Sequence, residues 1–467
     1  MNHAWSRRDI LHTLAAAAGL PALGAAAAPR RRVGIIGGGM AGVSLAWLLD
    51  GACDVVLVEA RPSIGGNIRS LEVTLDNQTF VVDLGAQFFH PAPYPLYTAL
   101  LSFLGLYPPS PAGQGPSRSF PASITLAAAG ETTPRFVSPI VPDREWPIFA
   151  SWNQTGLAAF ARAFAAAKQR EQNDESWALT LEEWLPSLGI PRAGWEGAVL
   201  PWAASLFSGT IDEARGLSAR AAMIFAAKAL PDNPLDPILY YVLDQGLIEV
   251  LDRLLAQTST VSVLTNAPAL AVSRDLLGRF VVYCAGQPPL VVDDLVLAAS
   301  GPATLSLLGG LAGTTLQRAA LAAIEFRAAR LALHATPSYA PSNPLLWSFL
   351  NSQIAGPYCE ASMWLAPVLR SVPLATSAKL WKSWTTHRNV PPATLAQASF
   401  VHLLPTPATI TAQNAVRALQ GIGRIWLAGG YLSPYDSQET ALRSALGVAL
   451  GLNVSTSRTA ALAAAGA

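Results

Sequence analysis

The stretch that decides the fold runs from Val33 to Glu59 and reads VGIIGGGMAGVSLAWLLDGACDVVLVE. Val33 to Ile36 form a short β-branched run, glycines follow at once, and Val43 to Leu49 place apolar residues at helical spacing. A second apolar run, Asp54 to Glu59, ends in an acid. The pattern predicts a strand, a tight turn, a helix and a second strand, which together make a β-α-β unit.

The turn of this unit supplies the glycines of a dinucleotide-binding fingerprint. In Gly37 to Gly42 (GGGMAG), one glycine turns the chain, one lets the backbone approach a pyrophosphate, and one lets the helix pack on the strand. The helix N-terminus then faces the phosphates. Glu59 follows about 20 residues on, where a carboxylate accepts both ribose hydroxyls and disfavours NADP. We therefore predict that a dinucleotide is bound by Gly37, Gly39, Met40, Ala41, Gly42 and Glu59.

A second glycine turn follows the second strand and favours FAD over NAD. Glu59-Ala60-Arg61 leads into Gly65 to Arg69 (GGNIR). Its backbone donors and its arginines would lie beside the pyrophosphate of a longer cofactor.

With these segments the sequence resembles the flavin amine oxidase and phytoene desaturase superfamily. Asp83 to Phe88 (DLGAQF) is similar to the superfamily's next segment, near the isoalloxazine ring. Asn266 to Val272 resembles the segment whose backbone, near Ala269, meets the adenine. Arg424 to Ala449 resembles the C-terminal motif, where a glycine turn and a helix N-terminus meet the ribityl chain and the pyrimidine edge. The resemblance implies these further FAD-binding residues: Ala60, Arg61, Gly66, Asn67, Arg69, Gly85, Ala86, Gln87, Phe88, Ala269, Gly429, Gly430, Gln438, Glu439, Thr440 and Ala441.

Within the superfamily the sequence is most similar to a bacterial branch described as NAD/FAD-binding proteins. The stretches that carry this likeness are His90 to Leu106, Leu333 through Asn351, and Thr406 to Gly421. The branch implies the fold and the cofactor but no substrate.

Three departures from the superfamily argue against oxidation of a simple amine. Amine oxidases place a lysine soon after the strand that here ends at Ala299, and Leu305 to Leu311 has none. Ser437 stands where they hold one tyrosine of an aromatic cage. Gly430 stands where an acid is usual, so either Asp436 or Glu439 takes over its contact, or the ribityl contact is lost.

Three side chains are candidates for chemistry besides the flavin. His334 lies on an apolar strand, where a structural histidine and a substrate-facing polar group are both open interpretations. Tyr431 and Tyr435 lie inside the flavin-proximal motif and are candidates to reach the substrate. Lys379 and Lys382 are expected to face solvent.

The amino-acid composition limits the classes of partner that the chain can be expected to bind. The chain has 467 residues, of which 51% are hydrophobic and 13% charged, and its 31 basic and 30 acidic residues nearly cancel. No long-range field would attract nucleic acid, so a small or hydrophobic substrate fits better. The three cysteines are widely spaced and indicate neither a metal site nor a disulfide framework.

The first 28 residues are predicted to be a targeting signal and not part of the fold. Ser6-Arg7-Arg8 precedes an apolar stretch, Leu14 to Ala28, that contains Pro21 and ends in small residues. This pattern resembles a twin-arginine signal, which implies the twin-arginine export machinery as a partner and a periplasmic or extracellular location. The alternative is a disordered or anchoring extension.

The sequence as a whole predicts a two-domain α/β protein. We expect a Rossmann-type FAD-binding domain from residues 29–90, 236–307 and 405–467, and a substrate domain of helices (91–235) and mixed sheet (308–404). The expected activity is hydride transfer from a small or hydrophobic substrate to flavin N5, with electrons passing to oxygen or another acceptor. The alternatives are double-bond isomerisation or desaturation of a fatty acid or polyene, a non-catalytic exported FAD-binding protein, and a cytosolic NAD-dependent dehydrogenase.

Overall fold

The computed structural model describes residues 30–108, 115–138, 150–233 and 236–466. The predicted signal at residues 1–28 lies outside them. The strands are β1 Arg32–Ile36, β2 Asp54–Val58, β3 Ser70–Leu75, β4 Gln78–Asp83, β5 Ser117–Pro121, β6 Ile124–Ala128, β7 Phe136–Val137, β8 Leu239–Leu243, β9 Val261–Leu264, β10 Ala269–Arg274, β11 Phe280–Cys284, β12 Leu290–Val292, β13 Asp294–Leu297, β14 Phe326–His334, β15 Leu350–Ala355, β16 Tyr358–Trp364, β17 Trp381–Trp384, β18 Thr394–Leu403 and β19 Ile425–Leu427.

The helices lie between and around these strands. They are α1 Met40–Leu49, α2 Pro95–Phe103, α3 Gln154–Gln172, α4 Leu181–Ser187, α5 Arg192–Gly194, α6 Leu200–Phe207, α7 Ile211–Arg215, α8 Ala219–Ala222, α9 Ile224–Ala229, α10 Ile248–Ala256, α11 Gly301–Gly309, α12 Thr315–Ala322, α13 Leu374–Ser377, α14 Pro407–Ala418, α15 Gln438–Gly451 and α16 Ser457–Gly466. Short 3₁₀ turns occupy Ser151–Asn153, Pro344–Leu346, Ile422–Arg424 and Gly430–Leu432, and a π turn occupies Trp195–Val199.

A five-stranded parallel sheet forms the first layer, in the order β19-β13-β1-β2-β9. The central strands β1 and β2 are buried on both faces, which explains why they read as continuous apolar runs. Helices α1, α10 and α15 cover one face. The antiparallel sheet β10-β11-β12, with α11 and α14, covers the other. Since the chain leaves β1 towards β2 and later returns to β13, the edge beyond the carboxyl ends of β1 and β13 is a switch point, where such sheets bind ligands.

A seven-stranded mixed sheet forms the second layer, in the order β18-β14-β17-β16-β15-β6-β7. Successive side chains of a strand point to opposite faces. One face, which carries Leu333 and Trp384, packs against the helical layer of α3 and α6 in the largest apolar cluster. The other face carries His334 and Trp381. We call these the inner face and the outer face.

The predicted fold class is confirmed: a Rossmann-type domain assembled from separated segments is joined to a mixed sheet with a helical layer. In the helical part of the substrate domain, α8 and α9 are separated at Met223, whose φ of −102° leaves helical geometry. Within the described ranges, no helix combines the length and apolarity needed to cross a bilayer.

Candidate functional site

Two glycine turns interlock at the carboxyl edge of the parallel sheet. Gly39 and Gly65 form a β-bridge, and the Gly65 amide donates to the Gly38 carbonyl at 2.8 Å. A Cβ on Gly66 would lie 2.8 Å from the Cα of Gly39, and one on Gly42 would lie 1.9 Å from the carbonyl oxygen of Gly37. Side chains are therefore excluded from both turns. Helix α1 begins at this junction without a side-chain cap, so its first amides face outward.

Glu59 ties the two turns together from the tip of β2. Its Oε2 accepts the Gly38 amide at 2.8 Å and its Oε1 accepts the Arg61 amide at 2.9 Å. The side chain is buried, and its backbone carbonyl accepts the Ala267 amide at 3.0 Å. The segment leading to Ala269 therefore begins beside the backbone of Glu59. Remaining lone pairs on both oxygens are suited to ribose hydroxyls.

Two guanidinium groups converge on the second turn. Arg61 Nη2 and Arg69 Nε donate to the carbonyl of Gly66 at 3.2 and 3.3 Å. Within the described chain, Arg69 forms no ion pair, and its guanidinium lies over the Phe400 ring at 5.6 Å. Burial, reinforced by the nearby Arg61 charge, lowers the pKa of Arg69. The turn thus holds positive charge in excess, which an anion such as a diphosphate would neutralise.

The segment Asp83 to Phe88 leads from the glycine turns to the mixed sheet. The Asn67 carbonyl accepts the Ala86 amide at 2.9 Å, and a Cβ on Gly85 would lie 2.0 Å from that carbonyl and 3.0 Å from the Phe400 ring. Phe88 stacks on Tyr240 at 4.5 Å between ring centroids. The segment is therefore held between the two layers.

Lys382 projects from the inner face behind this segment. Its Nζ donates to the carbonyls of Asp83 and Gly85 at 3.0 and 3.1 Å, and the side chain is 1% exposed. The expectation that Lys382 faces solvent is wrong, because the alternation of β17 directs it inward; Lys379 is exposed and pairs with Asp76, as expected. Burial lowers the pKa of Lys382 and raises that of Asp83.

The C-terminal motif brings a carboxylate to the carboxyl edge of β19. A Cβ on Gly430 would lie only 2.0 Å from Oδ1 of Asp436, so the Asp436 carboxylate fills the space that a side chain at 430 would take. The Asp436 side chain keeps accessible surface, while the protein packed around its carboxyl raises its pKa to about 6.

Both carboxylate oxygens of Glu439 have partners away from Gly430. Its Oε2 accepts the Tyr97 amide at 2.7 Å and its Oε1 pairs with Arg443 at 2.8 Å. Of the two acids left open by the sequence, Asp436 is the one beside Gly430. Gln438 donates to the Phe88 carbonyl at 3.3 Å, and Ser437 caps α15 in a capping box that the Thr440 side chain completes.

The three candidate chemical side chains are not brought together. His334 lies on the outer face, fully buried, with Nε2 2.8 Å from Ser383 Oγ, and burial lowers its pKa to about 4. Strand alternation therefore turns it away from Lys382 and the cofactor-binding segments. Tyr431 is buried against Phe326 in the core beneath the parallel sheet, with ring centroids 5.7 Å apart.

Tyr435 alone of the three stays partly accessible. Its ring packs edge-on to Phe225 at 5.7 Å, and Phe225 in turn contacts Tyr94. Burial raises the pKa of Tyr435 to about 12, so the phenol is neutral at ordinary pH. Tyr435 is thus a partly accessible aromatic side chain with a neutral hydroxyl.

An aromatic cluster that the sequence did not indicate surrounds Phe88. Tyr240 contacts Phe88, Phe349 and His90. Nδ1 of His90 is buried without a hydrogen-bond partner in the described structure, and burial lowers the pKa of His90 to about 4. Sequence gives no signal for this cluster, because its members are far apart in the chain.

A cleft of about 350 Å³ lies beside the same segment, between the β3-β4 hairpin, the end of β8 and residues 368–373. Asp83 and Gln87 line it, and neither glycine turn does. The cleft therefore adjoins the segment Asp83 to Phe88 of the candidate cofactor site but does not reach the glycine turns or Glu59. Among the residues described, no cluster of histidine, cysteine or carboxylate side chains has the geometry to hold a metal ion.

Comparison with known proteins agrees with the fold. Residues 35–104 match the family described as NAD(P)-binding Rossmann-like domain. No curated protein matches the chain.

Several solved structures share the fold over nearly the whole chain. Putrescine oxidase aligns with a TM-score of 0.61 at 15% identity, over 91% of this chain and 99% of that one. The CLA-producing fatty acid isomerase from P. acnes aligns with a TM-score of 0.62 at 13% identity, over 90% and 98%. Cyclohexylamine oxidase from Brevibacterium oxydans aligns with a TM-score of 0.59 at 16% identity, over 91% and 100%.

Proposed function

We propose that the protein is an FAD-dependent oxidoreductase that removes hydride from a small or hydrophobic organic substrate. The observation that carries the proposal is the convergence of separated segments on one edge of the sheet: two interlocked glycine turns, the guanidinium of Arg69, which forms no ion pair with any described residue, and the Asp436 carboxylate beside Gly430. The solved oxidases and the isomerase that share the fold support it.

The residues fit the parts of FAD in turn. The N-terminus of α1, the Gly66 turn and Arg69 suit a diphosphate. Glu59 suits the adenosine ribose, and Asp436 suits a hydroxyl of the ribityl chain. Bound FAD would supply an acceptor for a hydride.

The surroundings of Phe88 select the substrate in this proposal. Phe88, Tyr240 and Phe349 offer apolar ring surface, so they would bind a hydrophobic carbon skeleton and exclude water. Lys382 holds the segment Asp83 to Phe88 from behind and places a titratable amine there.

The decisive experiment has two stages. The purified protein should be yellow, and heating should release FAD and no NAD. Arg69→Gln should lower FAD occupancy, whereas Arg330→Gln, at an exposed position of the mixed sheet, should not. Colourless protein that takes up no flavin during refolding would refute the cofactor assignment.

The second stage tests the activity anaerobically. A substrate from a panel of amines, fatty acids and polyenes should bleach the oxidised flavin. Bleaching by none of them would favour a non-catalytic FAD-binding protein.

Double-bond isomerisation is the second candidate, favoured by the apolar cluster around Phe88 and by the likeness in fold to a fatty acid isomerase. An isomerase would give a product of unchanged mass without oxygen consumption. An oxidase or desaturase would give a product two hydrogens lighter together with reduced acceptor.

We also propose export by the twin-arginine route, on the sequence of residues 1–28. Replacing Arg7 and Arg8 with lysine should retain the protein in the cytoplasm. Cell fractionation measures this, and an unchanged distribution would contradict the proposal.

A further inference from the structure

We propose that the amino edge of the parallel sheet carries a docking surface for an anionic lipid membrane. The surface consists of the β10-β11 hairpin tip, Asp275 to Gly278, and the loop Gly421 to Arg424; we call it the hairpin surface. It is independent of the flavin chemistry, because it lies at the end of the sheet opposite the glycine turns.

Adjacent large apolar side chains stand at the tip of the hairpin. Leu276 is fully exposed and Leu277 is 76% exposed. Solvent-exposed hairpin turns normally carry polar residues or glycine. Isolated exposed leucines are ordinary on protein surfaces, but two at one convex tip form a protrusion that can enter an apolar phase.

The neighbouring loop extends this apolar surface. Ile422 is 51% exposed. Arg424 Nη2 and Arg274 Nη1 both donate to the Gly278 carbonyl at 2.7 Å, and Arg274 also donates to the Gly423 carbonyl. The loop and the hairpin tip are therefore fixed side by side.

The tip is rigid. Asp275 Oδ1 accepts the amides of Leu277 and Arg279, both at 2.9 Å, and Gly278 takes a φ of +72° that favours glycine. The leucines are therefore held outward by a hydrogen-bonded turn, and exposing them requires no rearrangement.

Charge around the apolar tip is complementary to anionic lipid headgroups. The hairpin and the loop together carry three arginines, Arg274, Arg279 and Arg424, against one acid, Asp275. Arg30 and Arg32 are exposed where the described chain enters β1, at the same edge of the sheet, where Asp293 accepts the Arg32 amide and Asp54 is also exposed. Although the whole chain is nearly neutral, arginines outnumber acids on the hairpin and the loop, where the leucines protrude. An apolar tip ringed by arginines is the pattern of an interfacial membrane contact.

The amino edge is opposite the cofactor-binding edge. Parallel strands begin at one edge and end at the other, and β1 alone spans about 17 Å at 3.3 Å per residue. Docking through the hairpin surface would therefore leave the cofactor-binding glycine turns and the aromatic cluster away from the membrane.

Vesicle co-sedimentation of the full chain tests the proposal. Binding should be strong to vesicles of phosphatidylcholine and phosphatidylglycerol, weak to phosphatidylcholine alone, and reduced by salt. Leu276→Ser with Leu277→Ser should weaken binding tenfold or more. Arg30→Gln with Arg32→Gln should weaken it about fivefold per arginine on anionic vesicles only.

The matched control is Leu345→Ser with Leu374→Ser, since these leucines are 62% and 68% exposed elsewhere on the protein. The control should bind like the wild type, and all variants should keep the wild-type circular dichroism and melting temperature. Equal binding by the hairpin variant and the wild type would overturn the proposal. So would equal binding to neutral and anionic vesicles, or a wild-type dimer that the hairpin substitutions dissociate.

Discussion

The exchange of space between Gly430 and Asp436 gives the sharpest test of the site. A methyl group at position 430 would lie 2.0 Å from Asp436 Oδ1 and 3.1 Å from Thr440 Oγ1, where ordinary contacts are 3.4 Å or more. Because the nearest atom is the end of a side chain that can turn aside, Gly430→Ala alone should destabilise the flavin-free protein by about 1 kcal/mol, at the low end of overpacking costs. Adding Asp436→Ala removes the collision, so the double variant should regain most of that loss. Urea unfolding measures the coupling.

The same pair predicts cofactor affinity. Asp436→Ala removes one charge-assisted hydrogen bond, about 1.5–3 kcal/mol, and should weaken FAD binding roughly 10- to 100-fold in a fluorescence-quenching titration. Gly430→Glu combined with Asp436→Ala should recover part of the affinity, because the new carboxylate starts in the vacated space. Unfolding energies that add within about 0.5 kcal/mol, or an Asp436→Ala variant that binds FAD like the wild type, would refute the reasoning.

Three further predictions concern single side chains. Lys382→Met leaves the Asp83 and Gly85 carbonyls without their donor and should cost about 1–3 kcal/mol for each. Burial lowers the pKa of Lys382 from 10.5 to about 7. Between these two pH values the lysine is charged in the unfolded chain and neutral in the folded protein, so the unfolded chain binds more protons. Wild-type stability should therefore rise with pH there, by at most ~1.4 kcal/mol per unit, and urea unfolding at several pH values should show a flatter slope for the variant. Glu59→Gln should weaken FAD binding by about tenfold or more in the same titration, since an amide cannot accept with both atoms; unchanged affinity would exclude a role for the carboxylate. His334→Asn should lower the melting temperature but leave the rate of flavin reduction unchanged. A slower reduction would indicate that His334 takes part in the reaction.

The parts of the site that sequence predicted are those in which geometry dictates the residue type. Gly42 and Gly66 could be predicted because a side chain at either position would collide with backbone. Glu59 could be predicted because it ends a buried strand at a fixed distance from the first turn. These constraints are local, so a single sequence displays them.

The parts that sequence missed depend on register and on distant contacts. Lys382 lies in Trp381 to Trp384 (WKSW), a strand buried on both faces, so no alternation of polarity tells which way the lysine points. The same lack of pattern left the face of His334 open. Asp436 could be chosen over Glu439 only from the contact with Gly430, which requires the turn and the helix to be folded together.

The order of strands in the parallel sheet has a consequence for biosynthesis. The strand next to β13 at the sheet edge, β19, and the turn that follows it come much later in the sequence than β1. A nascent polypeptide on the ribosome therefore lacks both β19 and Asp436 after the other strands of this sheet have been made. The earlier segments are then partly folded without β19. Such an intermediate exposes apolar surface that chaperones would need to shield.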